Sequence, residues 1–195
     1  MKRIFAGAMI AALTVAVGAV PAWAALAVGA AAPAVTGNVY IAGKSQPFNL
    51  KAALAKGPVV LFFFPGAYTA GCNVEAKAFA DAMDKFKAQG ATVVGVTAGH
   101  GTSDRANGKA AASLDEAVKD FSSTHCGGKF PVMATTGEVV KAYDSVLSAT
   151  RPDWSNRTSY VIGQDGKIAL AYVNARPDGH VESTLKAVTE LKAKK

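Results

Sequence analysis

Residues 59 to 64, "VVLFFF", run without a polar interruption, and Pro65 closes the run. A stretch this short, rich in β-branched and aromatic residues and without alternation, is expected for a β-strand covered on both faces. Proline cannot continue a ladder, so the strand stops there. Between Cys72 and Gln89 the periodicity changes. Val74, Phe79, Met83 and Phe86, with Ala76 and Ala82, fall on one helical stripe, while Glu75, Lys77, Asp81, Lys85 and Lys87 face away. Gly90 stands where a helix C-cap belongs. Residues 91 to 97, "ATVVGVT", predict a second buried strand, and strand, helix and strand in that order imply a parallel crossover.

The flanking segments complete the pattern. Residues 25 to 37 are mostly Ala, Gly, Val and Pro and are expected to be irregular, with residues 39 to 41 a short edge strand. Residues 98 to 112 show no period and read as an extended loop or insertion. Ser113-Leu114-Asp115-Glu116 is a capping box for a helix with Leu114, Ala117, Val118 and Phe121 inward. A short strand is expected over residues 130 to 134, a short helix over 138 to 143, and a loop over 144 to 156. Residues 158 to 162 and 168 to 173 flank "GQDGK", whose Asp165-Gly166 is a hairpin signal. Val181, Leu185, Val188 and Leu191 place a last amphipathic helix against the sheet. Parallel crossovers first and an antiparallel hairpin plus helix last predict an α/β domain of thioredoxin-like fold, a central mixed β-sheet flanked by helices.

The N-terminus carries a separate signal. Met1-Lys2-Arg3 precedes an apolar stretch from residue 4 to 20, and Ala22 and Ala24 fit an Ala-x-Ala cleavage site, so residues 1 to 24 are expected to be a signal peptide. The alternative, a membrane anchor, suits the segment poorly: its ~17 apolar residues are at the short edge of what spans a bilayer. No other segment is long and apolar enough to cross one. Removing 24 of 195 residues leaves 171, one domain over residues 25 to 195 in a periplasmic or secreted protein. The net charge of +7 falls to +5 without Lys2 and Arg3. Lys186, Lys192, Lys194 and Lys195 read as a solvated helix end rather than a nucleic-acid surface, since aromatic residues are not interleaved. His100, His125 and His180 lack metal-ligand spacing, so no metal is expected. Tyr68 and Trp154 are either pocket-mouth or core aromatics.

Cys72 and Cys126 are the two cysteines of the chain. Cys72 falls in the first turn of a helix, where unpaired N–H groups and the positive dipole end favour a thiolate over a thiol. Thr69 either directs its hydroxyl toward that sulfur or toward a substrate oxygen just above it, or caps the helix. Pro65 would fix the approach of the loop. "FFFPGAYTAGCNVEA" resembles the active-site loop of peroxiredoxins, Pro-x-x-x-Thr-x-x-Cys, at Pro65, Thr69 and Cys72, with the Glu common in the family at Glu75. "NRTSYVIGQDGKI" is similar to the family's second signature, an arginine opening a strand, here Arg157. The resemblance extends from about residue 28 to the C-terminal helix and is strongest to the bacterioferritin-comigratory, or peroxiredoxin Q, group.

This resemblance implies reduction of hydroperoxides by Cys72 through a sulfenic acid, without metal, flavin or haem. It implies that Thr69 and Arg157 hold the peroxide, that the Gly71 and Cys72 amides assist, and that Glu75 orients Arg157. Ala70 stands where many members carry proline, and Lys77 where one subgroup keeps its resolving cysteine. Cys126 is therefore the implied resolver, forming an intramolecular disulfide, with Gly127-Gly128 mobile beside it. The expected partners are a hydroperoxide and a thioredoxin-like protein or small-thiol reductant, acting on a monomer or weak homodimer. Two other readings stay open: an envelope thiol–disulfide oxidoreductase, which usually needs Cys-x-x-Cys where this chain has Glu75, and a non-catalytic exported domain held by a structural disulfide. Arg157 read alone is also compatible with an ordinary surface arginine.

Overall fold

The computed structural model describes residues 25–101 and 111–194; the signal-peptide expectation and most of the 98–112 insertion lie outside them. An antiparallel pair, β1 (Thr36–Ile41) and β2 (Lys44–Asn49), comes first. It turns at Ala42-Gly43, both with positive φ. Then follow α1 (Leu50–Leu54), β3 (Val59–Phe63), α2 (Ala70–Ala88) and β4 (Thr92–Thr97). The second half contains α3 (Leu114–Thr124), β5 (Val132–Ala134), α4 (Gly137–Ala142), β6 (Val146–Ser148), β7 (Arg151–Ser155), β8 (Thr158–Ile162), β9 (Ile168–Val173) and α5 (His180–Ala193).

The described strands form a mixed sheet of order β2-β1-β5-β4-β3-β8-β9 and a separate β6–β7 pair. β3 runs parallel to β4, and β4 to β5, while β8 is antiparallel to both β3 and β9. The crossover and hairpin expected from the sequence are therefore present. Two expectations are corrected. Residues 39 to 41 belong to β1, which lies between β2 and β5; the edge is β2, whose "KSQPFN" is polar and contains Pro47, a residue that an edge strand tolerates. The span 144 to 156, read as a loop, holds the β6–β7 hairpin, whose half-exposed strands bury too little to leave an apolar signature.

β3 shows why its run has no polar member. Val60, Phe62 and Phe64 pack with Phe79, Met83 and Phe86 of α2, Phe121 of α3 and Val188 of α5. Val59, Leu61 and Phe63 join Leu50 and Leu54 of α1, with Tyr143 and Tyr160, on the other face. Alternate residues thus face opposite layers. Phe62 stacks on Phe79 with centroids 4.1 Å apart, and a Cβ at Gly95 of β4 would lie 2.9 Å from the Phe62 ring, so glycine makes room for it. Ser113 caps α3 through a bond from Glu116 N at 3.1 Å; the Glu116 carboxylate accepts from Ala112 N instead of closing back on Ser113. Gly90, at φ 72°, follows the α2 C-cap as expected. No helix among the described residues is long and apolar enough to cross a membrane.

Phe79→Ala removes the ring that joins α2 to the sheet. It is expected to cost about 3–5 kcal/mol, seen as a lowered urea midpoint with an unchanged m-value.

Candidate active site

The loop after β3 is tied to the loop after β4. Ala67 N donates to Gly99 O at 3.1 Å and Gly101 N to Ala67 O at 2.6 Å. The approach is close: a Cβ at Gly99 would lie 2.5 Å from Pro65 O, and one at Gly101 2.6 Å from Tyr68 O. Tyr68 is buried in the core with φ 63°, a left-handed conformation uncommon for a large side chain. Its hydroxyl donates to Asp120 Oδ2 at 2.5 Å, and its ring meets Phe121 edge-on, so α3 holds the turn that starts α2. Tyr68 is thus a core aromatic. Trp154 lies against Gly99, with the Arg151 guanidinium 4.6 Å above its ring.

Cys72 is the third residue of α2, and its side chain is 1% exposed. Arg157, immediately before β8 and 5% exposed, donates from Nη2 to Cys72 Sγ at 3.5 Å, from Nη1 to Glu75 Oε2, and from Nε to Ala175 O at 3.1 Å. A Cβ at Gly71 would stand 3.1 Å from Nη2, so glycine lets the guanidinium reach the sulfur. Desolvation lowers the proton affinity of Arg157, but Glu75 and then Cys72 outweigh it and raise its pKa. The arginine is no surface residue.

This arrangement corrects the helical stripe. Val74, expected inward, is 59% exposed, and Glu75, expected outward, is fully buried. The first turns of α2 cover Arg157 rather than hydrocarbon, and a buried carboxylate persists there because a cation meets it. Two further expectations change. The Thr69 hydroxyl neither caps α2 nor turns to the sulfur; it donates to Gly66 O at 3.0 Å. The Cys72 amide is committed to Thr69 O at 3.0 Å, leaving Gly71 as the other amide of that expectation. Outside the guanidinium, Pro65, Leu147, Asn156, Arg157, Val173 and Ala175 line an open groove of about 300 Å³. Leu147 comes from the unexpected β6–β7 pair, which Ser155 anchors by donating to Phe64 O at 2.7 Å.

Behind Glu75 lies a contact without a sequence signal. Glu75 Oε1 is buried with no hydrogen-bond partner and stands 3.6 Å from His180 Nδ1. His180, fully buried at the start of α5, also has Ser159 Oγ 2.8 Å from Nδ1 and Asn174 O 3.0 Å from Nε2. Burial pushes the Glu75 carboxyl up to about 7, against the pull of Arg157, and pushes His180 down to about 4. Cys126 follows α3, fully buried in the same cluster as Cys72, and both thiols are free. Burial raises the Cys126 thiol pKa. Among the described residues there is no group of His, Cys, Asp or Glu that could hold a metal.

Residues 28–171 match the AhpC/TSA family model. The chain belongs to that family. Its relatives include the chloroplastic peroxiredoxin Q of Sedum lineare, 30% identical over 150 residues, a match covering 76% of this chain and 72% of the relative. The chloroplastic peroxiredoxin Q of Suaeda salsa is 30% identical over 151 residues, covering 73% of this chain and 61% of that longer protein. Peroxidoxin BcpB from Mycobacterium tuberculosis shares the fold with a TM-score of 0.65 at 22% identity, over 84% of this chain and 96% of that one. This AhpC/TSA chain is a peroxiredoxin of thioredoxin-like fold, nearest to the peroxiredoxin Q group.

The burial of Glu75 and of His180 gives two opposed pH dependences. Between pH 4.5 and about 7 the folded chain holds a Glu75 proton that the unfolded chain has lost, so that contribution is present at low pH and lost as pH rises. Between 6.5 and about 4 the unfolded chain binds a His180 proton that the folded one excludes, so stability falls as pH falls. In urea unfolding across this range, His180→Gln is expected to expose the first slope and Glu75→Gln the second, with the wild type flatter than either.

Proposed function

We propose that Cys72 is the peroxidatic nucleophile of a thiol-dependent peroxidase; the Arg157 guanidinium 3.5 Å from its sulfur is the observation that carries the assignment. A hydroperoxide enters by the groove beside Pro65 and Arg157, and the Cys72 thiolate attacks one oxygen in line. A sulfur–oxygen bond forms as the O–O bond breaks, leaving a sulfenic acid and releasing water or an alcohol. Arg157 stabilises charge moving onto the leaving oxygen, and Glu75 holds Arg157 in place. Because the Thr69 proton is given to Gly66 O, the hydroxyl oxygen is suited to accept from a peroxide O–H.

In this reading Cys126 resolves the sulfenic acid as an intramolecular disulfide. Its complete burial means that the end of α3 must unpack first. Gly127 and Gly128, at φ 55° and 64°, supply a turn other residues would resist. The bond from Tyr68 to Asp120 couples the Cys72 loop to the same helix, so loosening one loosens the other. A thioredoxin-like protein or a small thiol then restores both cysteines. An intramolecular resolver needs no second copy, which supports a monomer or weak homodimer. The leader-like residues 1 to 24 support a periplasmic or secreted location, where the reductant would be an exported one.

Cys72→Ser is expected to abolish peroxide consumption. Cys126→Ser should turn over once and then hold its sulfenic acid. Arg157→Met should slow sulfur oxidation about 10²–10³-fold, the usual loss on removing a donor to developing charge, measured by stopped-flow fluorescence.

A further inference from the structure

The proton positions around His180 follow from its partners. Asn174 O can only accept, so Nε2 carries a hydrogen. The neutral ring then presents a lone pair at Nδ1, to which Ser159 Oγ donates at 2.8 Å. Glu75 Oε1, buried and without a hydrogen-bond partner, faces the same nitrogen at 3.6 Å. With Glu75 ionised and His180 neutral, lone pair faces lone pair; an added proton removes that repulsion, and it bridges the two atoms only when the Ser159 hydroxyl turns away from Nδ1 and they close from 3.6 Å.

The charges of the site make that proton depend on the sulfur. A Cys72 thiolate, a Glu75 carboxylate and the Arg157 cation leave one uncompensated negative charge among buried groups, which is costly. When the sulfur is neutral, Glu75 and Arg157 compensate each other without a further proton. The other titratable groups around His180 are Tyr172 of β9, its ring centroid 4.8 Å away, the exposed Arg176–Asp178 pair on the preceding turn, and exposed Glu182 on α5. Resting on the assignment of Cys72 as nucleophile, we propose that Glu75 and His180 form a proton-accepting pair that takes up one proton when Cys72 is a thiolate and releases it when the sulfur is oxidised.

The proton count closes. Thiol ionisation releases one proton and the pair takes one up; thiolate, hydroperoxide and that proton together make sulfenic acid plus alcohol or water. Burial raises the Glu75 carboxyl and lowers His180, so the proton taken up resides on Glu75, whose Oε1 faces Nδ1 at 3.6 Å. His180 is a positioning residue; its contact is with Glu75.

The test is an NMR titration of the Glu75 side-chain carboxyl carbon and the His180 ring nitrogens in the reduced wild type and in Cys72→Ser, with amide spectra confirming the fold. The pair should release its proton at a pH higher by about one unit or more where Cys72 is a thiolate than in Cys72→Ser, a tenfold change in affinity. The pH profile for Cys72 oxidation should move to higher pH in His180→Phe and partly return in His180→Gln, whose side-chain oxygen can accept from a protonated Glu75. Equal titration in the wild type and Cys72→Ser, or an unmoved profile in His180→Phe, would overturn the proposal. Failure of peroxide to oxidise wild-type Cys72 would instead overturn the peroxidase assignment, and it is visible before any titration.

Discussion

Arg157 is a cation almost wholly removed from water, and burying a charge costs several kcal/mol unless partners compensate it. Its partners come from distant parts of the chain: Glu75 and Cys72 on α2, and Ala175 after β9. Placing them together fixes the first turns of α2 against the head of β8. Gly71 is small because the guanidinium passes it, and Glu75 is inward because the guanidinium needs it. The nucleophile is therefore positioned by an electrostatic requirement as well as by the hydrophobic core.

The two sulfurs differ in what surrounds them. Cys72 has a cation at hydrogen-bonding distance, whereas Cys126 is sealed in the cluster with Phe121 and Phe130, where burial favours the neutral thiol. Such an arrangement suits a cycle in which the first thiol reacts in the folded state and the second reacts only after local opening. Tyr68, bent into a left-handed turn and bonded to Asp120, is the mechanical link between the two regions.

Much of this was legible in the chain, for identifiable reasons. β3 declared itself because both of its faces are covered, and the α2 C-cap because Gly90 adopts a positive φ. Loop and arginine were recognisable by spacing. The reversal of Val74 and Glu75 was not, because amphipathic periodicity assumes that the inward face meets hydrocarbon, and here it meets a guanidinium. β2 and the β6–β7 pair escaped notice because edge and half-exposed strands bury too little to impose alternation. His180 gave no signal at all: its partners Ser159 and Glu75 lie 21 residues away in sequence and on another helix, respectively, and only the fold joins them.

The central claim is that peroxide reacts first at the sulfur beside Arg157. One equivalent of hydrogen peroxide added to the reduced wild type in the presence of a sulfenic-acid trap, followed by peptide mapping by mass spectrometry, tests it directly. The adduct is expected on Cys72 with Cys126 still a free thiol at the earliest times. An adduct that forms first on Cys126, or equally on both, would contradict the account.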